Sequence, residues 1–357
     1  MKYNLLGNTG LKVSRLGFGC MRFPMKGLLP DKAQTLRMLE KGFELGINYF
    51  DTAPLYCSMM SENIVGKFIQ GKRDKVILST KDMGRSLWTF ERSFERSLKK
   101  LKTDYIDVFH FWSMDLEAFK KVTAAEGLLD FAYKMKKDGK VRHFAFSFHD
   151  AEPDNVKEVI DSGLFESMLL SYNVLNRVNE KWLEYGKAKG LGTAIMNPVA
   201  GGALASSDSA AENTDNARIA LKHVLGKGFI DIALSGMSSE AQVVENCAAA
   251  SGDYAFTPEE QQGYENICAK YNSLLRLYCT ACNYCKGCPA GIDIPGVFGI
   301  YNGSKVKWQG LAGAKSDYAK VKNKADRCTA CGACMKKCPQ KLDIISNLRE
   351  CHKTLNS

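Results

Sequence analysis

The 357-residue sequence has no stretch of about 18 apolar residues, the length that indicates a membrane-spanning helix. Residues 1–4 lack the charged start and apolar stretch of a secretory signal. The formal net charge is +10, but no nucleic-acid motif accompanies it, and we interpret the lysines as scattered over exposed helix faces. We therefore expect a cytoplasmic protein that binds neither membranes nor nucleic acids, and whose positive charge would attract an acidic electron-transfer partner or an anionic substrate.

Segments of period-two hydrophobicity alternate with segments of helical periodicity along most of the chain. They predict eight strands, at residues 13–19, 47–51, 76–80, 105–111, 141–147, 168–172, 192–196 and 231–235. The predicted helices between and after them are residues 32–45, 62–70, 90–101, 128–137, 155–161, 181–189, 216–226 and 240–250. Alternation favours a parallel sheet, and a count of eight favours a (β/α)₈ TIM barrel.

The alternative fold is a doubly wound open sheet. Such a sheet usually begins with a Gly-rich dinucleotide turn after its first strand, and Gly17-Phe18-Gly19-Cys20 matches that turn poorly. Residues 1–12 are predicted to form a short hairpin ahead of the barrel. After Pro258 we expect a connecting helix, and from Cys279 onward cysteine, glycine and proline dominate. The sequence thus predicts a barrel at residues 1–274 and a small ferredoxin-like iron–sulfur domain at residues 275–357.

Eight of the thirteen cysteines form two short runs near the C-terminus. The first run is Cys279, Cys282, Cys285 and Cys288, and the second is Cys328, Cys331, Cys334 and Cys338; a proline follows each run. The second run has the C-x₂-C-x₂-C-x₃-C-P spacing of bacterial ferredoxins, and the first differs only in its last gap. We therefore predict two 4Fe–4S clusters; structural zinc, which also uses C-x₂-C pairs, is the alternative.

In two-cluster ferredoxins the fourth cysteine of each run binds the other cluster. We therefore expect Cys279, Cys282, Cys285 and Cys338 to hold one cluster. Cys328, Cys331, Cys334 and Cys288 would then hold the other. The remaining five cysteines are interpreted as ordinary thiols.

A (β/α)₈ barrel carries its active site at the C-terminal ends of its strands. The predicted strand ends bring polar and aromatic side chains to that face: Asp51, Lys81, His110, Trp112, Ser147, Tyr172, Asn173, Asn197 and Ser235. Tyr56 follows Asp51 by five residues, in the loop above the barrel mouth. Considered separately, Asp51 and Lys81 would be interpreted as an ion pair at the barrel end, and Tyr56 as an aromatic residue of a surface loop.

Several segments, in order, resemble the aldo-keto reductase family. They are Leu16-Gly17-Phe18-Gly19-Cys20-Met21-Arg22, Asp51-Thr52-Ala53-Pro54-Leu55-Tyr56, Thr80-Lys81, Phe146-Ser147-Phe148-His149-Asp150, Tyr172-Asn173, Pro198-Val199-Ala200-Gly201-Gly202, and Gly236-Met237 through Glu245-Asn246. The resemblance covers nearly the whole chain and is closest to the branch that carries a C-terminal ferredoxin-like dicluster domain.

The resemblance implies hydride transfer between a nicotinamide and the carbonyl group of a small substrate. It assigns Tyr56 as the general acid, Lys81 as the ammonium that makes the phenol a better acid, and Asp51 as the residue that orients Lys81. The family's catalytic histidine, however, is replaced by Trp112. His110, two residues earlier on the same strand face, is either its displaced equivalent or a core histidine, and His149 is another candidate proton donor.

The resemblance also assigns a nicotinamide site, which is incomplete in this sequence. Ser147, Tyr172 and Asn173 match it, but Leu169 replaces the glutamine that reads the carboxamide. Gly236 and Gln242 replace cations that bind the 2′-phosphate of NADP, so a preference for NADP loses its physical basis. Glu245 and Asn246 match the adenine-binding pair.

Three functions remain open. The first is an oxidoreductase in which NAD(P)H, the clusters, or both exchange electrons with a carbonyl or related substrate. The second is a reductase without nicotinamide that receives electrons from a ferredoxin or flavodoxin. The third is a redox-sensing module without catalysis, against which the retained Asp51, Tyr56 and Lys81 argue.

Overall fold

The computed structural model describes residues 1–83, 86–124, 127–150, 152–205, 210–271, 279, 282–306 and 310–356. Eight parallel strands close into a barrel: Leu16–Gly19, Tyr49–Asp51, Ile77–Asp82, Ile106–Met114, Val141–Phe148, Ser167–Ser171, Gly192–Met196 and Ile232–Gly236. Each strand pairs with the next along the chain, and Ser235 of the eighth lies opposite Phe18 of the first. The predicted (β/α)₈ barrel is therefore confirmed, and the open-sheet alternative is wrong.

Helices follow the strands of the barrel. Their bounds are Lys32–Glu44, Tyr56–Met59, Ser61–Phe68, Leu87–Leu101, Leu116–Ala124, Leu128–Lys137, Val156–Asp161, Glu180–Ala188, Ala210–Leu225 and Glu240–Ser251. Side-chain caps begin several of them: Asp31, Ser86 and Ser239 each accept a hydrogen bond from a backbone N–H three residues later, which satisfies an otherwise unpaired donor. Toward the C-terminus follow Pro258–Tyr271, Ile294–Val306, Gly310–Ala319, Ala333–Lys337 and Ile344–Leu355.

Three local features differ from the sequence-based predictions. Residues 13–14 do not begin the first barrel strand: Lys12–Ser14 pairs with Tyr3–Leu5 as the second strand of the hairpin. The Ser14 backbone N–H bonds to Asn48 and that of Arg15 to the Lys2 carbonyl, so the chain leaves the hairpin before Leu16. The fourth strand, predicted to end at residue 111, continues to Met114, and the helix Leu116–Ala124, which was not predicted, follows it. A small hairpin, Met25–Lys26 with Leu29–Pro30, was not predicted.

Alternation along the fourth strand decides which side chains face the barrel interior. Val108 packs in the interior cluster with Tyr49, Ala145 and Leu169. Phe111 instead stacks on Phe90 of a surrounding helix, with ring centroids 5.4 Å apart. Because strand side chains alternate, His110 and Trp112 share the interior face with Val108.

The chain divides into two compact units. The first comprises Met1–Asn173, Arg177–Pro198 and Leu221–Ala255 and contains the barrel strands; the second comprises Val174–Asn176, Val199–Ala220 and Phe256–Ser357. The second unit has a core of its own around Phe298, Tyr318, Leu348 and Cys351. The boundary predicted near residue 275 falls outside the described residues. In the part of the chain that the structure describes, no helix has the length and hydrophobicity of a membrane span.

Candidate active site and cysteine pockets

The second and third barrel strands bring Asp51 and Lys81 together inside the barrel mouth. Lys81 Nζ forms an ion pair with Asp51 and donates a hydrogen bond to the Thr52 carbonyl at 3.1 Å. Ser79 Oγ donates to Asp51 Oδ1 at 2.8 Å. Both ionic side chains are almost fully buried. Burial lowers the pKa of Lys81, and the Asp51 carboxylate opposes that effect.

Tyr56 lies above this ion pair, as the sequence predicts. Lys81 Nζ is 5.5 Å from the centroid of the Tyr56 ring. On another side, Trp112 meets Tyr56 edge to face, with centroids 5.7 Å apart and an interplanar angle of 88°. The phenol is therefore held between an ammonium and an indole, and only 8% of Tyr56 is exposed.

The three residues after Tyr56 form a left-handed turn built without glycine. Cys57, Ser58 and Met59 have φ of 50°, 54° and 66°, a conformation that costs about 1–2 kcal/mol for each L-residue. Cys57 Sγ donates to the carbonyls of Cys20 and Met21 at 3.5 and 3.3 Å, and Ser58 Oγ donates to the Leu28 carbonyl at 2.8 Å. Such strain persists where surrounding contacts hold it and is common at functional sites. Nothing in the sequence signals this turn.

His110 lies deeper in the barrel than Tyr56. Its backbone pairs in register with Lys81, and its ring is fully buried. Among the described residues neither imidazole nitrogen has a hydrogen-bond partner of ordinary geometry. Burial, followed by the Lys81 charge, holds the pKa of His110 well below its usual value, and the Phe146 backbone opposes this only weakly. This environment favours the neutral imidazole, and Trp112, which the resemblance matches to the family histidine, lies beside Tyr56.

The residues matched to a nicotinamide site are bonded within the protein. Ser147 Oγ accepts a hydrogen bond from the Ser113 backbone at 2.9 Å, and Asn173 Nδ2 donates to the Asn197 carbonyl at 3.0 Å. Tyr172 is fully buried. Its ring stacks on His223, with centroids 6.1 Å apart. Leu169 belongs to the apolar interior of the barrel.

The residues matched to the adenosine half lie at the end of the eighth strand. Gly236 is exposed, and a Cβ there would come within 3.0 Å of Arg22 Cδ, so the Arg22 side chain packs against this glycine. Glu245 is exposed on the helix Glu240–Ser251. Asn246 is buried, and its Nδ2 donates to Ser235 Oγ at 3.2 Å.

The cysteines of the two runs surround two separate pockets. The first pocket is lined by Cys279, Cys282, Cys285 and Cys338. The second pocket is lined by Cys288, Cys328, Cys331 and Cys334, and Cys285 also reaches its edge. Each pocket therefore receives three cysteines from one run and the last cysteine of the other. Among the described residues, no three His, Cys, Asp or Glu side chains converge closely enough to hold a single metal ion.

The remaining described cysteines do not line these pockets. Cys20 is buried near Asp51, Cys57 and Lys81, and burial raises its pKa well above the usual value. Burial likewise raises the pKa of Cys57 and raises those of Cys247 and Cys351 to about 12. These environments suit unreactive thiols, since the thiolate is the nucleophile.

The barrel, its buried lysine–aspartate pair and the two cysteine pockets define an oxidoreductase with an iron–sulfur domain. Residues 15–218 match the sequence model of the Aldo/keto reductase family, and residues 278–343 match that of a 4Fe-4S dicluster domain. The chain belongs to the aldo/keto reductase family and carries an iron–sulfur domain C-terminal to the matched barrel segment.

Similar proteins agree with this assignment. The chain is 29% identical to the uncharacterized oxidoreductase YqkF of Bacillus subtilis, over 70% of this chain and 92% of that protein. It is 30% identical to an L-galactose dehydrogenase of Arabidopsis thaliana, over 69% of this chain and 87% of that protein. Its fold is similar to the holo form of aldo-keto reductase AKR11C1 from Bacillus halodurans, with a TM-score of 0.63 and 27% identity; the match covers 75% of this chain and 96% of that one.

Proposed function

We propose that the barrel reduces the carbonyl group of a small organic substrate, with Tyr56 as the proton donor. The observation that carries this proposal is the buried Asp51–Lys81 pair beneath the Tyr56 ring. Burying two charges costs desolvation free energy. Catalysis gives a reason for this cost at the barrel mouth, whereas a sensor or a binding module does not need the pair there.

The three residues have separate roles in the proposed reaction. As the carbonyl carbon gains a hydride, or two electrons and a proton from solvent, Tyr56 transfers its phenolic proton to the developing alkoxide oxygen. The Lys81 ammonium stabilises the phenolate that remains. Asp51 holds Lys81 in place, and the Ser79 hydroxyl fixes Asp51 in turn. Trp112 forms an apolar wall beside Tyr56. His110 is a buried core residue and takes no part in the proposed proton transfer.

The cysteine pockets fit two 4Fe–4S clusters, with the ligands crossed between the runs. The first pocket has four thiols and the second has five, including Cys285 at its edge, around a space rather than around a point, as a cube with iron at its corners requires. When bound, the clusters supply one-electron transfer and NAD(P)H supplies hydride. We assign Cys279, Cys282, Cys285 and Cys338 to one cluster and Cys288, Cys328, Cys331 and Cys334 to the other.

The fit to a nicotinamide nucleotide is uneven along the molecule. Exposed Gly236 and Glu245 suit the adenosine half. At the nicotinamide half, Leu169 provides no amide, and Ser147 and Asn173 already bond to backbone groups. This unevenness supports a second candidate, in which electrons arrive only from a ferredoxin or flavodoxin in the cytoplasm. The relative named L-galactose dehydrogenase makes aldose sugars a first substrate class to screen.

The test is a titration of anaerobically purified protein with NADH and NADPH, followed by the visible absorbance of the clusters. Bleaching by either nucleotide supports nicotinamide as an electron source, and bleaching only by a reduced ferredoxin supports the second candidate. Tyr56→Phe is the matched control, because it removes one hydroxyl and retains the ring beside Trp112. Turnover of any carbonyl found in the screen should fall by about 10²–10⁴-fold in this variant; unchanged turnover would refute the role of Tyr56.

A further inference from the structure

The positive charge of the chain is concentrated in its cysteine-rich segment. Residues 279–357 contain thirteen Lys and Arg against five Asp and Glu, so they carry +8 of the formal net charge of +10. The other 278 residues are close to neutral, with 36 basic and 34 acidic side chains. The basic residues of the first 278 positions are therefore nearly balanced by acidic ones, whereas those of the cysteine-rich segment are not.

Part of this charge borders the second pocket. Lys336 and Lys337 are exposed on the short helix Ala333–Lys337, between the pocket cysteines Cys334 and Cys338. Lys337 itself lines the second pocket. Arg327 is exposed immediately before Cys328. We call Arg327, Lys336 and Lys337 the basic rim.

Among the described residues, the charges of the basic rim have no bonded carboxylate to balance them. Arg327 Nη1 donates to the amide oxygen of Asn323 at 2.9 Å, which carries no charge. In the part of the chain that the structure describes, no Asp or Glu forms an ion pair with any of the three side chains. Several barrel lysines are paired instead, as Lys136 is with Glu166 at 2.7 Å and Lys140 with Glu95 at 2.9 Å.

One of the cysteines proposed to bind the second cluster is exposed to solvent. Cys331 is exposed, whereas Cys279, Cys282, Cys285 and Cys338 of the first pocket are partly buried. A cluster held at the second pocket would thus have a sulfur at the protein surface, beside the basic rim. Electron transfer between proteins requires a short path from surface to cofactor, and complementary charge increases the rate of encounter.

We propose that the basic rim is the docking surface for an acidic one-electron carrier protein, and that electrons enter through the Cys331 edge of the second pocket. This inference rests on the proposed function, because it assumes that the pockets hold clusters. In each encounter the carrier is oxidised by one electron and the cluster site is reduced by one electron, with no proton or group transferred. The partner is recognised by its negative surface, and its own cofactor only needs to lie near that surface.

An alternative explanation is that these cations only balance the negative charge of thiolate-bound clusters. That explanation predicts a change in reduction potential when the charges are removed, with no dependence on the partner's charge. The docking proposal predicts a change in the encounter itself, which depends on ionic strength. The two explanations therefore give different results in one set of measurements.

The experiment mixes the full-length, cluster-loaded protein with a reduced acidic [2Fe–2S] ferredoxin in a stopped-flow spectrometer under anaerobic conditions. The second-order rate constant is measured across a range of ionic strengths for wild type and for Lys336→Glu/Lys337→Glu. The matched control is Lys134→Glu/Lys137→Glu, which makes the same charge change at two exposed lysines of the barrel helix Leu128–Lys137. Arg327→Glu serves as a second rim variant that leaves the pocket lining intact, and iron content is determined for every variant.

At low ionic strength the rim variants should react at least about tenfold more slowly than wild type, and salt should slow the wild type more than the variants. The barrel control should stay within about twofold of wild type, since neither of its lysines lines a cysteine pocket. Equal rates in the rim and barrel variants, or a rate change that follows only a shifted midpoint potential, would overturn the proposal. A protein that holds iron and is bleached by NADPH but not by the ferredoxin would refute docking while the proposed function stands; a protein without iron would refute the proposed clusters.

Discussion

The buried pair of Asp51 and Lys81 gives the sharpest test of the active-site assignment. In Lys81→Met the Asp51 carboxylate keeps the Ser79 hydroxyl as a donor but loses its ammonium. Removing one partner of a buried ion pair costs about 3–5 kcal/mol, because the other charge remains buried. We expect the upper part of that range, since the Lys81 side chain is 1% exposed and that of Asp51 is 6% exposed.

The reverse variant, Asp51→Asn, should lower the free energy of unfolding by less than Lys81→Met does. Burial already lowers the pKa of Lys81, so the lysine can lose its proton when the carboxylate is absent, and this limits the penalty. The double variant Asp51→Asn/Lys81→Met contains no unpaired charge. It should be more stable than the sum of the single effects implies, with a coupling energy of about 2–3 kcal/mol.

The assay is urea denaturation of the anaerobic protein at neutral pH, followed by circular dichroism, with the free energy of unfolding from linear extrapolation. All three variants should also lose carbonyl turnover, because each lacks the Lys81–Asp51 unit beneath Tyr56. Additive effects, or a cost below about 1 kcal/mol for Lys81→Met, would mean that water screens the pair and that the described burial is wrong.

Four further outcomes are expected. His110→Leu should change the free energy of unfolding by less than about 1 kcal/mol, because the imidazole it removes lacks a described partner; a turnover loss near 10²-fold would instead make His110 an acid–base residue. Ser58→Gly should be more stable than Ser58→Ala by about 1–2 kcal/mol in thermal denaturation, since only glycine adopts φ of 54° without strain. Burial raises the pKa of Glu166, but hydrogen bonds from His143, Lys136 and the Phe144 backbone overcome this and lower it from 4.5 to about 2. The ionised Glu166 therefore stabilises the fold above pH 4.5, and this stabilisation is lost as the pH falls toward 2. Between these pH values, Glu166→Gln should reduce the dependence of the urea midpoint on pH. Cys338→Ala and Cys279→Ala should remove the same electron paramagnetic resonance signal, because both line the first pocket; loss of different signals would refute the crossed assignment.

The barrel was predictable because its sequence signals are repeated and local. Every strand carries an apolar pattern that a buried parallel sheet requires, and the strand Gly192–Met196 and helix Leu128–Lys137 have the bounds that were predicted. The strand bounds were predicted wrongly where a tertiary contact decides which strand a residue joins. Val13 is as apolar as a barrel residue, but it belongs to the N-terminal hairpin, whose side chains close the bottom of the barrel.

The candidate site was predictable in its residues but not in its geometry. Asp51, Tyr56 and Lys81 follow from their order in the sequence, and the structure brings them together. The left-handed turn at Cys57 could not be foreseen, because a run of positive φ is expected at glycine and depends here on carbonyls supplied by Cys20, Met21 and Leu28. The excess of basic residues after Cys279 can be counted in the sequence. Only the structure shows that Lys336 and Lys337 are exposed and that Lys337 lines the second pocket.

The edge-to-face contact between Trp112 and Tyr56 offers a practical way to find the substrate. The chain has only four tryptophans, and Trp112 is buried in the barrel mouth. A molecule that reaches the Tyr56 hydroxyl would change the surroundings of this indole and hence its fluorescence. Candidate compounds could thus be ranked by binding alone, before any electron donor is known, with Trp112→Phe to identify the signal that belongs to the site.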